Sequence, residues 1–438
     1  MRTLESQETT DTELSKIVCS SSRDPQQVYH SLMHFINVDS LRGCFNSLDG
    51  KKAVGTDRIT KLNYGQNLEA NLEELIARMK RMAYRPQAVR EVLIPKEGKL
   101  GATRPLGISN FEDKLVQKRM QAILESMYDP IFVDWSYGFR KGRSCHDAIK
   151  ALSDHLYNNE VEVVIDVDLA NFFGTIDHHL LKELLSKKIK DTKFLRYISR
   201  MFRAGVLSEG ELVISDEGVP QGSCCSPILA NVMAHYVIDE WLEETVKPRL
   251  KGPLEAFRYA DDLVLCFRYK DDAQKVLEAL GKRLAKYKLT LNEEKTKMVP
   301  FSKRKSSQGI KQGVFDFLGF TFYLGKSQRG YTIPKLKTNG KRFRSKLKKV
   351  NEWARVIRNK GKLRMIWRTF CAKLRGHIQY YGVSHNSKAV GKFVAEARRI
   401  IFKWLNRRSQ RKSFTWDKFA LFTQAYPLPE VKVVHRLF

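Results

Sequence analysis

The sequence predicts an α+β fold in which a mixed body is followed by a basic, almost wholly helical unit. In the body, short β-branched or apolar runs alternate with helical patterns. Beyond Lys341 the apolar residues recur at helical spacing, in three pieces near 341–358, 364–381 and 387–407. This C-terminal stretch also carries most of the positive charge of the chain.

The charge is concentrated in one segment. The 438 residues, enough for two or three structural units, include 78 Lys and Arg against 48 Asp and Glu, a formal net charge of +30. From Lys326 to Lys412 there are 27 Lys and Arg against two acids, Glu352 and Glu396. Aromatic and aliphatic residues are interleaved with this charge, unlike in a disordered basic tail. The surplus predicts a polyanionic partner, and nucleic acid is favoured over a membrane surface.

Four segments are expected along the chain. They are a flexible leader at 1–25, a mixed body at 26–325, a basic helical unit at 326–412 and a short C-terminal extension at 413–438. The elements predicted in the body are helices over 67–84, 115–127, 179–190 and 272–288, and strands over 89–95, 161–166 and within 257–267.

Cysteine usage and hydropathy indicate a cytoplasmic protein. None of the seven cysteines forms a C-x-x-C pair, so no zinc site is expected, and an odd number fits a reducing compartment. No run of about 18 apolar residues exists, so no membrane-spanning segment is expected. The first residues lack the apolar core of a signal peptide.

Two pairs of acids stand out because they lie among apolar residues. Asp166 and Asp168 end a β-branched run that begins VEVVID, and Asp261 and Asp262 lie in YADD, between two apolar segments. Neighbouring carboxylates repel each other unless a divalent cation neutralises them. Mg²⁺ prefers oxygen ligands and keeps several waters, so two or three carboxylates suffice. The pattern predicts a Mg²⁺ site of the kind that polymerisation requires.

An ordered series of motifs surrounds these acids. It comprises KAVGTDRIT (52–60), YRPQAVREVLIPK (84–96), RPLGISNFEDKLVQ (104–117), YGFRKGRS (137–144), DLANFFGTIDH (168–178), VPQGSCCSPILAN (219–231), YADD (259–262), LNEEKT (291–296), FLGF (317–320) and LRGHIQYYGVSHNS (374–387). In this order the series resembles the motifs of reverse transcriptases, specifically those of the group II intron-encoded type. The chain departs from the usual family pattern at Ser223, where glycine is common, and at Gly174, where aspartate is common.

The resemblance implies a right-hand polymerase fold, with fingers and palm in the body and a thumb or maturase domain in the basic unit. It also implies two Mg²⁺ ions, with Mn²⁺ as a substitute, held by Asp168, Asp261 and Asp262 and by the backbone of Leu169. Asp168 is favoured over Asp166 because the family places its aspartate ahead of an FF pair, as in DLANFF. Asp166 remains the alternative.

The resemblance further implies a set of nucleotide-binding residues: Lys96, Arg104, Phe172, Phe173, Gln221, Gly222 and Ala260. Lys96 and Arg104 would hold the triphosphate, although Lys99 competes with Lys96 because the spacing is wider than usual. One of the two phenylalanines would face the incoming sugar and exclude a 2′-hydroxyl, and the other would belong to the core. Lys295 would either assist pyrophosphate departure or be a surface lysine.

In the basic unit, eight cations are expected to contact nucleic acid: Arg342, Arg344, Lys348, Lys349, Arg398, Arg399, Arg407 and Arg408. The expected partners are an RNA template, a DNA primer, deoxynucleotides and group II intron RNA. The expected activity is RNA-directed DNA polymerisation, together with assistance to splicing and mobility of the intron. No endonuclease domain with His and Cys ligands is expected, because Cys371 is the last cysteine and only His435 follows His385.

Three alternatives remain open at this stage. The chain could be a free-standing relative used in phage defence or DNA repair, or a maturase whose main role is RNA binding. A viral RNA-directed RNA polymerase is disfavoured, because its turn motif is more often GDD. An intact YADD argues against an inactive polymerase.

Overall fold

The structure, a computed structural model, describes residues 2–95, 103–208, 211–219, 222–408 and 414–437. The α-helices are α1 (Arg2–Arg23), α2 (Val38–Ser47), α3 (Lys61–Gly65), α4 (Leu68–Lys80), α5 (Phe111–Tyr128), α6 (Cys145–Asn158), α7 (His178–Lys188), α8 (Thr192–Phe202), α9 (Ser226–Ala234), α10 (Lys270–Lys286), α11 (Lys303–Ser307), α12 (Gly340–Ile357), α13 (Leu363–Tyr381), α14 (Ser387–Leu405) and α15 (Trp416–Ala425). The strands are β1 (Val89–Pro95), β2 (Thr103–Ile108), β3 (Val163–Asp168), β4 (Val206–Ser208), β5 (Glu211–Val213), β6 (Leu254–Tyr259), β7 (Asp262–Phe267), β8 (Lys297–Pro300), β9 (Phe315–Phe317), β10 (Phe320–Lys326) and β11 (Thr332–Thr338).

The strands form three sheets. The central sheet has the order β6-β7-β3-β8, with antiparallel neighbours throughout. In the cleft sheet, β2-β1-β4-β5, β1 pairs antiparallel with β2 and parallel with β4. The junction sheet, β11-β10-β9, leads directly into α12 and the helical unit. The expected mixed body followed by helices is therefore confirmed.

The central sheet separates two hydrophobic cores, because alternate side chains of a strand point to opposite faces. In β3, Val163, Ile165 and Val167 are buried in the core of the N-terminal body. On the opposite face Val164 belongs to the second core, which includes the helical unit. Asp166 and Asp168 share that second face. The strand therefore carries its acids at one end of a face whose other end is apolar.

Most of the predicted elements are confirmed. The predicted strand at 89–95 coincides with β1, and the predicted helix at 272–288 lies within two residues of α10. The three predicted C-terminal helices correspond to α12, α13 and α14. These segments have strong apolar periodicity, and each buries one face.

Helix α1 occupies most of the segment that was expected to be a flexible leader, 1–25. Ile17 is buried in the N-terminal core, and α1 packs against α5. The Ser21 hydroxyl also lies 2.7 Å from the hydroxyl of Tyr29. The polar composition of residues 1–25 gives little sign of these few apolar contacts, which form only against the surface of α5.

The expected boundaries of the helical unit also need correction. Lys326 is not a boundary, because it ends β10 inside the β10–β11 hairpin. Residues 414–437 are not a separate extension: Phe419 of α15 is 0% exposed in the second core, and Leu437 is buried there too. The Val434 amide donates to the Gly382 carbonyl at 2.6 Å. The chain therefore folds back onto α13 and completes the helical unit.

The structure also addresses the expectations about membranes and cysteines. Among the described residues, no helix has the length and apolar character needed to cross a bilayer. All seven cysteines are free thiols.

The helical unit contains a buried histidine that makes its stability depend on pH. His377 stacks on Phe393 at 3.6 Å between ring centroids, and neither ring nitrogen has a hydrogen-bond partner among the described residues. Burial, and secondarily the Lys346 charge, lower the pKa of His377 to about 3. An unfolded histidine binds its proton near pH 6.5, so acid favours the unfolded chain.

We therefore expect stability to be lost as the pH falls from about 6.5 toward 3. His377→Phe should remove about 2 kcal/mol of the stability difference between pH 7.5 and pH 5. Chemical denaturation at the two pH values measures this, with the exposed His30→Gln as control. Because burial also lowers the pKa of His235 and His155, to about 3 and 4, part of the difference should remain. An unchanged difference in His377→Phe would contradict this assignment.

Candidate active site

The two acid pairs identified in the sequence converge at one edge of the central sheet. Asp168, the last residue of β3, lies directly opposite Asp262, the first residue of β7, in the antiparallel register. Asp261 lies in the tight turn that joins β6 to β7. Directly opposed residues of an antiparallel pair place their side chains on the same face. Residues about 95 positions apart in sequence therefore form one acidic edge.

The surroundings disfavour the ionised forms of Asp261 and Asp262. The Asp262 side chain is accessible to solvent, but many protein atoms surround it. The loss of hydration, followed by the charge of Asp261, raises the pKa of Asp262 to about 6, and Arg342 opposes this rise. Loss of hydration also raises the pKa of Asp261. A cation placed at this edge would relieve the repulsion.

Lys295 supplies a positive charge at this edge. Its Nζ donates to both carboxylate oxygens of Asp168, at 2.9 Å each. The turn before Lys295 is tied to the same residue, because the Asn292 amide donates to the Asp168 carbonyl at 2.8 Å. Within the described part of the chain, no three His, Cys, Asp or Glu side chains are arranged closely enough to hold a metal ion. A metal would therefore have to share or displace the Lys295 contact.

Asp166 lies farther from the edge than Asp168 does. It is half-buried, and it lies opposite Val264 on one side and Lys297 on the other. Burial, followed by the charges of Asp262 and Asp316, raises the pKa of Asp166 to about 7. Because Asp166 lies farther from the acidic edge, Asp168 is the better candidate for the acid that meets substrate.

The two phenylalanines after Asp168 occupy different environments. Phe172 is 3% exposed and belongs to the N-terminal core. Phe173 is half-buried and meets Phe139 edge-on, with ring centroids 6.2 Å apart. Asn171 and Gly174, on either side of the pair, line the cavity described next. Phe173 is therefore the better candidate for contact with an incoming sugar.

A cavity of about 750 Å³ lies between the cleft sheet and the segment that follows β3. This volume is typical of small-molecule sites. Its lining includes Arg104 from β2, Gly218 and Val219 from the segment before α9, and Arg342 from α12. The predicted residues Lys96, Lys99 and Gln221 lie outside the described residues.

Gly222 lies against the backbone of β2. Its φ is +114°, which L side chains rarely adopt, and a Cβ there would lie 2.4 Å from the Gly107 carbonyl oxygen. Gly107 itself lines the cavity. Only glycine therefore allows this approach between the two segments.

The eight predicted cations of the helical unit fall into two groups. Arg342, Arg344, Lys348 and Lys349 are exposed on α12, and Arg342 extends toward the acidic edge. On α14, however, Arg398 lies over the Phe419 ring, and Arg408, just after that helix, donates to the Gly361 carbonyl at 3.1 Å.

The other two cations, Arg399 on α14 and Arg407 just after it, also have contacts within the unit. Arg399 pairs with Glu396 at 2.9 Å, and Arg407 lies over the Trp404 ring. All four α12 cations are exposed, although Lys348 also lies 4.0 Å from Glu352. In the second group Arg399 and Arg407 are exposed, whereas Arg398 and Arg408 are half-buried and also support the fold.

A buried cluster beneath the acidic turn was not predicted from the sequence. Arg258, two residues before Ala260, forms a buried ion pair with Asp239 and hydrogen bonds to Asn231 and Ser136. The available signal was an arginine between Phe257 and Tyr259 in the segment LEAFRY, which predicts a buried partner but does not identify it.

Comparison with known proteins places this site in context. Residues 94–322, more than half of the chain, match the family model of reverse transcriptase (RNA-dependent DNA polymerase). The chain is 33% identical over 223 residues to the group II intron-encoded protein LtrA of Lactococcus lactis subsp. cremoris, covering 51% of this chain and 37% of LtrA.

Two further relatives extend the likeness. Protein YkfC of Escherichia coli is 29% identical over 282 residues, covering 58% of this chain and 74% of YkfC. The putative COX1/OXI3 intron 1 protein of Saccharomyces cerevisiae is 28% identical over 383 residues, covering 76% of this chain and 44% of that protein. The chain thus spans well under two thirds of LtrA and of the yeast protein.

Proposed function

The chain belongs to the reverse transcriptase (RNA-dependent DNA polymerase) family, and on that premise we propose that it extends a DNA primer with deoxynucleotides on an RNA template. The observation that carries the proposal is the register of the central sheet. It places Asp168 opposite Asp262, with Asp261 adjacent in the turn. Asn171 and Gly174, which follow Asp168 in the chain, line the cavity. In this proposal the central sheet is the palm, the cleft sheet belongs to the fingers, and the basic helical unit is the thumb.

Asp168, Asp261 and Asp262 are the residues that would hold two Mg²⁺ ions, or Mn²⁺ in their place, with a further contact from the Leu169 backbone. The chemistry of the donor set fits, because it consists of oxygen atoms and because loss of hydration disfavours the uncompensated charges of Asp261 and Asp262. The three acids would have to draw together around the ions. The ions would lower the pKa of the primer 3′-hydroxyl and neutralise the triphosphate. Lys295, released from Asp168, would face the departing pyrophosphate.

The chain's own groups would orient the nucleotide. Arg104, at the cavity wall, suits bidentate contact with the triphosphate, and Lys96 or Lys99 would assist it. Gln221 and Gly222 would lie against the new base pair. Ala260 would contact the nucleotide through its backbone, because its methyl side chain has no polar group.

The test of this activity is extension of a DNA primer annealed to an RNA template by the purified chain with deoxynucleotides and Mg²⁺. Addition of nucleotides complementary to the RNA supports the proposal. Absence of templated addition with both Mg²⁺ and Mn²⁺, in a protein that binds the duplex, would contradict it.

The sugar preference tests the role of Phe173. We expect Phe173→Val to raise ribonucleotide incorporation relative to deoxynucleotide, because the smaller side chain leaves room for the 2′-hydroxyl. Single-nucleotide extension with each substrate measures the ratio. Phe172→Val is the matched control: it removes a buried ring and should lower stability without changing the preference. Unchanged discrimination in both variants would eliminate the steric role.

A second function, binding of structured intron RNA in support of splicing and mobility, is favoured by the charge of the helical unit. Two of the relatives also carry an intron in their names. A free-standing role in phage defence or DNA repair would use the same polymerase. The DNA that flanks the gene distinguishes these roles, because intron RNA sequences on both sides support the first.

A further inference from the structure

We propose that Arg258 is a positioning residue that holds the YADD turn, and with it Asp261 and Asp262, in the geometry that polymerisation requires. This inference rests on the proposed polymerase function. Arg258 reaches the acids only through the backbone of the turn, so it would act on catalysis without touching substrate.

Arg258 is the centre of a closed buried network. Its side chain is 1% exposed, and every nitrogen of the guanidinium has a partner. Nε donates to Asp239 Oδ1 at 2.8 Å, and Nη2 donates to the other oxygen of Asp239 and to the Ser136 hydroxyl at 2.8 Å. Nη1 donates to Asn231 Oδ1 and to the Ala260 carbonyl, at 3.1 Å each.

The contact with Ala260 links the network to the acids. The Ala260 carbonyl belongs to the peptide that leads into Asp261, so the guanidinium fixes the orientation of that peptide. Ala260 has φ of +59°, an unfavourable conformation for an L-residue. Such a backbone conformation persists only where its surroundings stabilise it, and the hydrogen bond from Arg258 stabilises it directly.

A second contact to the turn is made by the backbone of Gly138. A Cβ at Gly138 would lie 2.3 Å from the Ala260 amide nitrogen, so the two backbones are pressed together. The Gly138 carbonyl accepts a hydrogen bond of 2.8 Å from Asn231, which also binds Arg258. Both sides of the turn therefore depend on the same pair of side chains.

The helix that carries Asn231 and Asp239 departs from α-helical geometry between them. In a regular α-helix, residues eight apart are offset by about 80° around the axis. Here α9 changes to a π-helical turn at His235–Asp239, and the wider turn reduces this offset. Asn231 and Asp239 therefore both meet the same guanidinium, and π-helical turns are frequent at functional sites.

A purely structural need would not require a buried charge at this position. Well-packed apolar residues often replace a buried ion pair without loss of stability, because burying two charges is costly. What an apolar pair cannot supply is a donor to the Ala260 carbonyl. The geometry therefore points to orientation of the turn as the reason for the arginine.

The experiment compares the folded chain with two variants. Arg258→Met/Asp239→Leu removes both charges, leaves no unpaired ion in the core, and removes the donor to Ala260. Arg258→Lys keeps the charge and can still pair with Asp239, but one nitrogen cannot serve Asn231, Ser136 and Ala260 at once.

The control is Asp191→Asn. Asp191 is a buried acid whose oxygens accept from the amides of Leu32, Met33, Lys193 and Phe194, and it has no contact with the turn. It should lose stability and keep its rate.

Four quantities are measured: the melting temperature, the affinity for primer–template, the single-turnover rate and KM for a deoxynucleotide, and Mn²⁺ binding by electron paramagnetic resonance. We expect the double variant to extend primers roughly 10²-fold more slowly, with nearly unchanged primer–template affinity and KM. Mn²⁺ binding should weaken in parallel, because the acids lose their fixed spacing. Arg258→Lys should be intermediate.

A folded double variant with the wild-type rate and Mn²⁺ affinity would overturn the proposal. If the double variant does not fold, Arg258→Lys decides by the same measurements. An inactive wild-type chain that binds primer–template would instead contradict the proposed function, while weaker Mn²⁺ binding in the variants would still support the positioning role.

Discussion

Asp261→Ala and Asp168→Ala are expected to abolish primer extension while leaving the fold and RNA binding nearly intact. The loss should reach several powers of ten, because the bound metals supply both activation of the nucleophile and neutralisation of charge. The fold should survive, because loss of hydration and the nearby charge of Asp168 already make the ionised form of Asp261 unfavourable. Removing one acid should even lower the repulsion at the edge.

The measurement is the single-turnover rate on an RNA template, together with thermal unfolding and RNA affinity for each variant. Asp271→Ala, which removes an exposed acid in the first turn of α10, is the control and should retain the wild-type rate. Substantial extension by Asp261→Ala, at a rate within tenfold of wild type, would contradict its assignment as a metal ligand.

Binding of the template–primer duplex is expected to weaken steeply with salt. With six to ten phosphate contacts, affinity should fall roughly 10³–10⁵-fold between about 50 and 200 mM salt, because bound counterions are released. Reversing Arg344, Lys348 and Lys349 to Glu should flatten this slope and shorten the cDNA products. The choice of nucleotide should not change, because phosphate contacts carry little sequence information.

The contacts of the basic residues decide which of them are replaced in this test. Arg342 is left unchanged because it lines the cavity, and Arg398 and Arg408 are left unchanged because they pack within the helical unit. The control reverses Lys275, Lys282 and Lys286, three exposed lysines of α10, and alters the net charge by the same amount. A flat wild-type slope, or equal effects of the two reversals, would show that the α12 charge is a solvated surface.

Local sequence patterns predicted a strand or helix correctly where the apolar periodicity lay within one segment. The strand ending at Asp168, the hairpin around Asp261 and Asp262, and the helices of the basic unit each show their apolar periodicity directly. The pairing of Asp168 with Asp262 was accessible only through the resemblance to a family, because sheet register joins distant segments.

Other features depend on contacts that a sequence does not display. The folding of α1 depends on the surface of α5, and the assignment of Phe172 to the core depends on which side of the turn is covered. The partner of Arg258 is Asp239, brought into place by a π-helical turn that has no clear local signature. The strands of the junction sheet were not predicted, although β10 and β11 each span seven residues.

The most direct test of the central claim compares Asp166→Asn and Asp168→Asn with wild type in single-nucleotide extension on an RNA template. Both substitutions replace an acid on the same face of β3 with a neutral side chain of similar shape. We expect Asp168→Asn to be inactive and Asp166→Asn to retain much of the wild-type rate, since only Asp168 lies opposite Asp262 at the acidic edge. An inactive Asp166→Asn beside an active Asp168→Asn would contradict the assignment of the active site.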